Sequence, residues 1–395
     1  MNKNIPALLL GCDNLIGFQM ARLLWKSGVP VIGVAEDPRS HHCRTRSVKR
    51  IVPANVLTTD PVKLLEEIGR EYGERPVVIP CRDEYVWWLS DYQEALKEKA
   101  YFLLAPSDVL MLLSDKIQFY SYAIEHNLPI PDTRFVTTSS ELEMAVKEIK
   151  FPIIVKPPRH TVEWMEATDG LKVFKVNDAE SLRRIVSKFL QVAGVLILQT
   201  WVEGPDANNH SLFCCLDRQS NPLTPCIIAK KIRQWPPDTG VGSLSVEIRI
   251  DEVVNTGLEI LQKVGYIGPC SIQFKQHAVT KKFYIIEVNT RPPLNFQIFE
   301  SCGVEMTNTY FCSAAGLPLP ENRTITRPGG KWISWNKDLA SAYVHWKRGD
   351  LSLKEWLSSL RGHKWCADIH LDDLMPFLTF VSRKIIGRGK KRSLY

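Results

Sequence analysis

Apolar and polar side chains alternate along residues 271–275 and again along 283–291. This period of two is typical of half-buried β-strands, and the short gap between the two segments predicts a hairpin. On the polar face of that hairpin, the pairing brings Gln273 near Glu287 and Asn289. A carboxylate and two amide oxygens suit a hard ion such as Mg²⁺. An amphipathic hairpin with an ordinary polar outer face is the alternative interpretation.

Strand-length apolar runs alternate with helical patterns in the first part of the chain. Residues 5–37 read as strand, turn, helix and strand, and a second helix and strand end near Cys81. This alternation predicts a parallel sheet and an α/β fold class. Arg82 and Asp83 follow the carboxyl end of a strand, where open α/β sheets bind ligands, so both are candidate substrate-site residues. Capping of the following helix is the alternative role.

Another predicted strand, in the middle of the chain, ends in a lysine. Residues 151–158 read as a buried strand that carries Lys156 at its end. Burying a lysine there is costly unless an anionic partner compensates for it. Lys156 is therefore a candidate for binding an anionic ligand.

The composition is that of a soluble globular chain with more than one core, since the 395 residues are 45% hydrophobic and 24% charged. No run reaches the roughly 18–20 apolar residues of a membrane span, and the N-terminus leads into a strand rather than a signal peptide. We therefore expect a cytoplasmic protein. The ten cysteines are scattered without metal-site or disulfide spacing, which favours reduced, buried thiols.

The positive charge is concentrated at the C-terminal end. Of a formal net charge of +7, six basic residues lie in 383–395, where no acidic residue occurs. The rest of the chain is nearly neutral, which argues against a nucleic-acid-binding protein. The tail is interpreted either as a solvated terminus or as a weak contact with an anionic membrane surface, helped by the apolar residues just before it.

Five short motifs occur in a fixed order. They are Asp-Lys at 115–116, Ile-Pro-Asp-Thr at 130–133, Phe-Pro-Ile-Ile-Val-Lys-Pro at 151–157, Leu-Gln-Thr-Trp-Val-Glu-Gly-Pro-Asp at 198–206, and Gln273 followed by Glu-Val-Asn-Thr-Arg at 287–291. In this order they resemble the ATP-grasp superfamily of ATP-dependent carboxylate–amine or carboxylate–thiol ligases. The resemblance extends from about residue 5 to residue 315.

The resemblance implies three parts, in a chain whose fold class is α/β (α+β overall). These are a Rossmann-like parallel-sheet domain (1–115), a two-lobed ATP-grasp domain (116–318, with lobes of about 116–196 and 197–318), and a mostly helical C-terminal region with the basic tail (319–395).

The resemblance also implies the residues of an ATP site. Lys116 and Lys156 are similar to the two phosphate-contacting lysines of the family, and lysine binds phosphate as a point charge. The strand that holds adenine, largely through backbone groups, corresponds to Gln199, Thr200 and Val202. The acid that binds the ribose hydroxyls corresponds to Asp206. One departure is that the segment from Arg159 to Asp169, which reads as a polar loop covering the phosphates, contains no glycine. A tight glycine cradle is therefore not expected.

The metal ligands implied for Mg²⁺ or Mn²⁺ are Gln273, Glu287 and Asn289, with Glu287 bridging two ions. Glutamine at the first of these positions resembles the carbamoyl-phosphate synthetase version of the fold rather than the more usual glutamate. Arg291 is expected to neutralise the acyl phosphate or the substrate carboxylate. Lys231 or Arg233 is expected to face the transferred phosphoryl group, although alternating basic residues are also common on exposed strands.

The implied activity is an ATP-dependent ligase that joins a small carboxylate to an amine, such as an amino acid or a sugar-linked acid. The alternatives are an ATP-dependent carboxylase or carbamoyl-phosphate-forming enzyme, and a nucleotide-binding regulatory protein that has lost turnover. The expected partners are small-molecule substrates and a second copy of the chain, since homodimers are common in this superfamily.

Overall fold

The structure, a computed structural model, describes residues 5–55, 58–159, 161–237 and 240–386. The strands are β1 (Ala7–Leu10), β2 (Val31–Ala35), β3 (Arg50–Pro53), β4 (Val77–Pro80), β5 (Thr133–Val136), β6 (Ile153–Lys156), β7 (Phe174–Val176), β8 (Leu196–Thr200), β9 (Asn209–Leu216), β10 (Ile227–Trp235), β11 (Val241–Ile248), β12 (Gly268–Gln276), β13 (Phe283–Asn289), β14 (Lys331–Ile333) and β15 (Lys364–Cys366).

The helices are α1 (Leu15–Lys26), α2 (Pro61–Tyr72), α3 (Asp83–Asp91), α4 (Gln93–Leu96), α5 (Ser107–Ser114), α6 (Lys116–Glu125), α7 (Ser139–Glu148), α8 (Val162–Ala167), α9 (Ala179–Ala193), α10 (Asp251–Lys263), α11 (Ile298–Ser301), α12 (Met306–Ala315), α13 (Trp335–Arg348), α14 (Leu353–Ser359) and α15 (Met375–Ile386). No helix of the described residues is long and apolar enough to cross a membrane.

The chain divides into two compact units. The first comprises residues 1–107, 211–271 and 289–395, and the second comprises 108–210 and 272–288. The three-part division drawn from the sequence stays a prediction, and most of the basic tail, from residue 387 onward, lies outside the described residues.

The first unit begins with the predicted parallel sheet. Its order is β3-β2-β1-β4, and every neighbouring pair is parallel. Asn14 starts α1 by accepting a hydrogen bond from the backbone N–H of Gly17. Only glycine fits at position 17, because a Cβ there would lie 2.5 Å from the Gly11 carbonyl oxygen. The α/β fold class read from the sequence is confirmed.

The remaining strands of the first unit form a second sheet with the order β9-β10-β11-β14-β15. Strands β12 and β13, whose residues 272–288 belong to the second unit, are hydrogen-bonded neighbours, as the alternation of residues predicted. β10 and β11 pair antiparallel, β11 pairs antiparallel with β14, and β14 pairs parallel with β15. The C-terminal region thus contributes two short strands as well as the helices α13, α14 and α15. The ten cysteines carry free thiols, and most of them are buried.

The second unit contains a four-stranded antiparallel sheet. Its order is β5-β8-β6-β7. Its core is made of apolar side chains from these strands and from the helices beside them: Val136, Leu142, Ala145, Ile149, Ile153, Val155, Trp164, Val176, Leu182, Val186, Phe189, Leu196 and Leu198. The strand carrying Lys156 is therefore packed within a closed apolar core.

The expectation of a loop from Arg159 to Asp169 was wrong for part of that segment, which forms the helix α8. Thr161 starts the helix by accepting a hydrogen bond from the N–H of Trp164. The Trp164 side chain is buried in the core, and its indole N–H donates to the Leu171 carbonyl at 2.9 Å. A helix as short as α8 is not stable by itself. The burial of the Trp164 side chain therefore holds it in place.

Helix α7 begins with a capping box whose contribution can be measured. The Thr138 hydroxyl accepts from the N–H of Glu141 at 3.3 Å, and the Glu141 carboxylate accepts from the N–H of Thr138 at 3.1 Å. Thr138→Ala is expected to lower the free energy of unfolding by about 1 kcal/mol. Ser140→Ala, at an exposed position of the same turn, should change it by less than about 0.5 kcal/mol. Equal urea midpoints for the two variants would contradict this contribution.

Candidate functional site

Lys156 ends strand β6 with a buried ammonium. Its Nζ donates to the hydroxyl of Tyr120 at 2.8 Å and to the side-chain oxygen of Gln199 at 3.0 Å. An ammonium has three donors, and within the described ranges these two are the only hydrogen bonds it makes. The structure therefore brings two of the predicted residues, Lys156 and Gln199, into contact inside the second unit.

The surroundings of Lys156 lower its pKa. Burial disfavours the charged form and lowers the pKa from 10.5 to about 8, while the negative charge of Glu287 acts in the opposite direction. Both hydrogen-bond acceptors are neutral, so no carboxylate is hydrogen-bonded to this ammonium among the described residues. A buried cation supported in this way is suited to an anionic ligand.

Lys116 lies at the start of helix α6. Asp115 caps the helix by accepting from the N–H groups of Ile117 and Gln118, at 3.0 and 3.1 Å. Lys116 donates to the carbonyl of Pro158 at 3.2 Å, and Asp115 pairs with Arg159 at 3.1 Å. The segment that follows Lys156 is thus tied to the N-terminal end of α6, which carries a partial positive charge.

The predicted adenine strand is β8 and the residues just after it. The N–H of Thr200 donates to the Asp132 carbonyl at 2.9 Å, and that of Trp201 donates to the Pro152 carbonyl at 2.9 Å. Among the described residues the N–H of Val202 donates to no protein acceptor. Asp206 begins a short 3₁₀ helix, and its carbonyl accepts from the side chain of Asn209.

The hairpin of β12 and β13 brings a second predicted pair together. The side-chain N–H of Gln273 donates to the Glu287 carboxylate at 2.6 Å, and both side chains are partly exposed. Asn289 ends the same strand two residues later. Within the described ranges, no group of three or more His, Cys, Asp or Glu side chains could hold a metal ion. The candidate donor set is instead a carboxylate with amide oxygens, which fits a hard divalent cation.

In the first unit, Arg291 is held by Asp83. Its Nε and Nη2 donate to the two carboxylate oxygens at 2.7 and 3.0 Å, a bidentate pair. Arg82 pairs with the buried Asp13 at 2.9 Å and with Glu36 at 3.3 Å. The side chain of Arg82, the residue before α3, makes no capping hydrogen bond to that helix. The structure therefore brings Arg291 together with one of the two predicted substrate residues, at the end of the parallel sheet.

The two basic residues on β10 have different surroundings. Lys231 donates to the side-chain oxygen of Gln234 at 2.7 Å. Arg233 is buried and forms two 2.9 Å bonds with the fully buried carboxylate of Asp338 on α13. Asp338 also accepts from the indole N–H of Trp356 at 3.0 Å. Asp338 thus neutralises the guanidinium of Arg233 within the unit. The role expected for Lys231 or Arg233 stays a prediction.

Sequence reasoning missed Tyr120 and Thr133, which complete the surroundings of Lys156. The side-chain N–H of Gln199 donates to the Thr133 hydroxyl at 2.9 Å, and that hydroxyl donates to the Pro131 carbonyl at 2.7 Å. Tyr120 follows the Asp-Lys motif by four residues, at helical spacing from Lys116. That spacing was the available signal, because it places both side chains on one face of α6.

Two comparisons of sequence place this chain among known proteins. Residues 244–322 match the family described as the carbamoyl-phosphate synthase L chain, ATP binding domain. Over 284 residues, 70% of this chain, it is 22% identical to the N-terminal section of the carbamoyl phosphate synthase large chain of Methanopyrus kandleri. The chain spans about half of that relative, 48% of its length.

The fold is shared with solved structures. N5-carboxyaminoimidazole synthetase from Staphylococcus aureus, complexed with ADP, superposes with a TM-score of 0.62 at 16% identity, over 82% of this chain and 80% of that one. The L-amino acid ligase from Bacillus licheniformis gives 0.59 at 17% identity, over 78% and 74%. At these identities the likeness concerns the fold.

Proposed function

We propose that the chain is a member of the ATP-grasp superfamily and acts as an ATP-dependent ligase. Its fold and the match over residues 244–322 support this proposal. In this proposal ATP phosphorylates a carboxylate to give an acyl phosphate and ADP, and an amine then displaces the phosphate. The substrates are a small carboxylate and a small amine.

One observation carries this proposal: the buried ammonium of Lys156 has only neutral hydrogen-bond acceptors. The phosphates of a nucleotide would supply an anionic hydrogen-bond acceptor for this cation, which has only neutral ones among the described residues. The ammonium of Lys116, at the start of α6, adds a second positive charge within the same unit. The N–H of Val202 supports a backbone contact to the adenine, beside Gln199 and Thr200. Asp206 is the proposed partner of the ribose hydroxyls.

Gln273 and Glu287 are the proposed ligands of Mg²⁺, together with Asn289 at the end of the same strand. Their oxygen donors fit that ion, and Mn²⁺ would suit them as well. When bound, the cation would neutralise charge on the phosphates of ATP. The hydrogen bond from Gln273 to Glu287 fixes the carboxylate and leaves the Gln273 oxygen as an acceptor.

The chemical barrier lies in bringing the carboxylate and the triphosphate together, since both are anions. Fixed cations lower this barrier by holding the two reactants in contact and by stabilising charge on the transferred group. Lys156 and Lys116 are proposed to hold the phosphates. Arg291 is proposed to bind the acyl phosphate or the substrate carboxylate, and Lys231 or Arg233 is proposed to act on the phosphoryl group.

A second candidate function is favoured by Gln273 and by the carbamoyl-phosphate synthase match. In that case the carboxylate is bicarbonate, and the enzyme is a carboxylase or forms carbamoyl phosphate. Arg82 and Asp83 are proposed as substrate-site residues in either case. A homodimer and a cytoplasmic location stay predictions, and no contact of the described residues supports binding to a membrane surface.

The test is ADP release from Mg-ATP across a panel of amino acids, other small carboxylates and bicarbonate, with hydroxylamine added to trap an acyl phosphate. A hydroxamate formed with one acid supports the ligase and identifies its first substrate. Turnover that depends only on bicarbonate supports the carboxylase. Binding of ATP without turnover for any acid points to a regulatory protein, and absence of ATP binding overturns the proposal.

ATP affinity is expected to depend on pH through Lys156. With a pKa of about 8, the free protein carries a charged ammonium below that pH and loses it above. ATP affinity should therefore be nearly constant between pH 6.5 and 7.5 and fall by up to roughly tenfold per pH unit above 8. Adenosine, which has no phosphate, is the control and should bind equally at each pH. A parallel fall for adenosine, or a flat profile for ATP, would contradict this role.

A further inference from the structure

The hydroxyl of Tyr120 connects three elements of the second unit. It accepts a hydrogen bond from Lys156 on β6 at 2.8 Å, and it donates one to the carbonyl of Ile286 on β13. Tyr120 itself lies on α6 and is fully buried. Ile286 directly precedes Glu287, so one phenol joins the candidate phosphate lysine to the strand of the candidate metal ligand.

The protonation state of Tyr120 determines which of these hydrogen bonds its hydroxyl donates and which it accepts. Burial raises the pKa of Tyr120, while a hydrogen bond donated by the Gln199 side chain acts against the rise and the charge of Glu287 adds to it. The phenol is therefore neutral and carries a single proton. That proton is given to the Ile286 carbonyl, so the oxygen faces Lys156 only as an acceptor.

Gln199 supplies the second acceptor, and its orientation is fixed in turn. Its N–H donates to Thr133, so its oxygen is the atom directed at Lys156. A lysine side chain has four rotatable bonds and would otherwise sample many positions. Two fixed acceptors from different elements restrict the ammonium to one position.

We propose that Tyr120, together with Gln199, is a positioning residue that holds the ammonium of Lys156 in place for the nucleotide phosphates. This inference rests on the proposed function, because it concerns the same ATP site. Tyr120 contacts neither reactant in this account. It acts by orienting Lys156 and by fixing its distance from the strand that carries Glu287. A tyrosine that only filled the core would affect folding and not the selectivity for phosphates.

The experiment compares Tyr120→Phe with Tyr122→Phe, a control on the same helix. The ring of Tyr122 stacks on His126 and is partly exposed. Isothermal titration calorimetry measures the affinities for ATP and adenosine. Tyr120→Phe is expected to weaken ATP about tenfold, the loss of one charge-assisted hydrogen bond, and to leave adenosine unchanged. Tyr122→Phe should alter neither affinity.

A double-mutant cycle with Lys156→Met separates positioning from a structural role. If Tyr120 acts through the lysine, Tyr120→Phe should cause no further loss of ATP affinity once Lys156 is methionine. Equal losses for ATP and adenosine, or a full additional loss in the Lys156→Met protein, would overturn the inference. If Tyr120→Phe does not fold, Thr133→Val, which removes the acceptor that orients the Gln199 side chain, replaces it in the same cycle with the same expected pattern. Failure of the parent protein to bind ATP would instead overturn the proposed function.

Discussion

Glu287→Gln is expected to lower the rate of ATP turnover roughly 1,000-fold or more. The substitution keeps the size of the side chain and one oxygen acceptor for the hydrogen bond from Gln273. It removes the negative charge proposed to hold the divalent cation. The fold should therefore be retained while the reaction is lost, and steady-state release of ADP at saturating Mg-ATP measures the effect.

Glu180→Gln is a matched control, because Glu180 is exposed in the first turn of α9 in the same unit. Its turnover should equal that of the parent protein within about twofold. Substitutions at exposed positions usually change the free energy of unfolding by less than about 0.5 kcal/mol, so the fold should be unaffected. Turnover by Glu287→Gln at the level of this control would contradict the role of the carboxylate.

Lys156→Met is expected to lower the affinity for ATP roughly 100-fold without unfolding the protein. The loss follows from removing a charge-assisted contact to phosphate, about 3 kcal/mol. The fold tolerates the change because methionine is of similar length and removes a costly buried charge. Calorimetry gives the affinity, and thermal unfolding gives the stability.

The pKa of Lys156 supports this expectation about stability. It is lowered from 10.5 to about 8 in the folded protein. Between these two pH values the unfolded chain binds more protons than the folded one, so the contribution of this lysine to stability rises with pH and is smallest below pH 8. At pH 7 the charged lysine therefore costs stability, and methionine does not.

The control for this variant is Lys147→Met, at an exposed position of α7. It should bind ATP as the parent protein does. Equal ATP affinities for Lys156→Met and Lys147→Met would contradict the role of Lys156. Loss of folded structure in Lys156→Met would contradict the explanation of its stability.

Local patterns were sufficient to predict much of the fold. The alternation at 271–275 and 283–291 predicted neighbouring strands, and the structure pairs β12 with β13. Helix α1 and the parallel strands around it were equally evident from the periodicity of residues 5–37. The contact between Gln273 and Glu287 also followed from alternation, because side chains on one face of paired strands are neighbours.

Contacts between residues distant in the sequence could not be predicted. The helix α8 depends on the burial of Trp164 in a core assembled from several elements. Arg233 reads as a strand cation, but its partner Asp338 lies 105 residues further along the chain. Tyr120 reads as an ordinary helix residue, and its bonds to Lys156 and Ile286 depend on how three elements pack. Periodicity carries no information about such partners.

The measurement that tests the central claim most directly follows the oxygen atoms of the activated acid. The carboxylate identified by hydroxamate formation is labelled with ¹⁸O and incubated with Mg-ATP, the protein and the accepting amine. An acyl phosphate requires that one labelled oxygen leave the acid with the phosphate, so we predict phosphate carrying a single ¹⁸O atom. Release of ADP together with unlabelled phosphate would contradict the account, because the acid would then never have been phosphorylated.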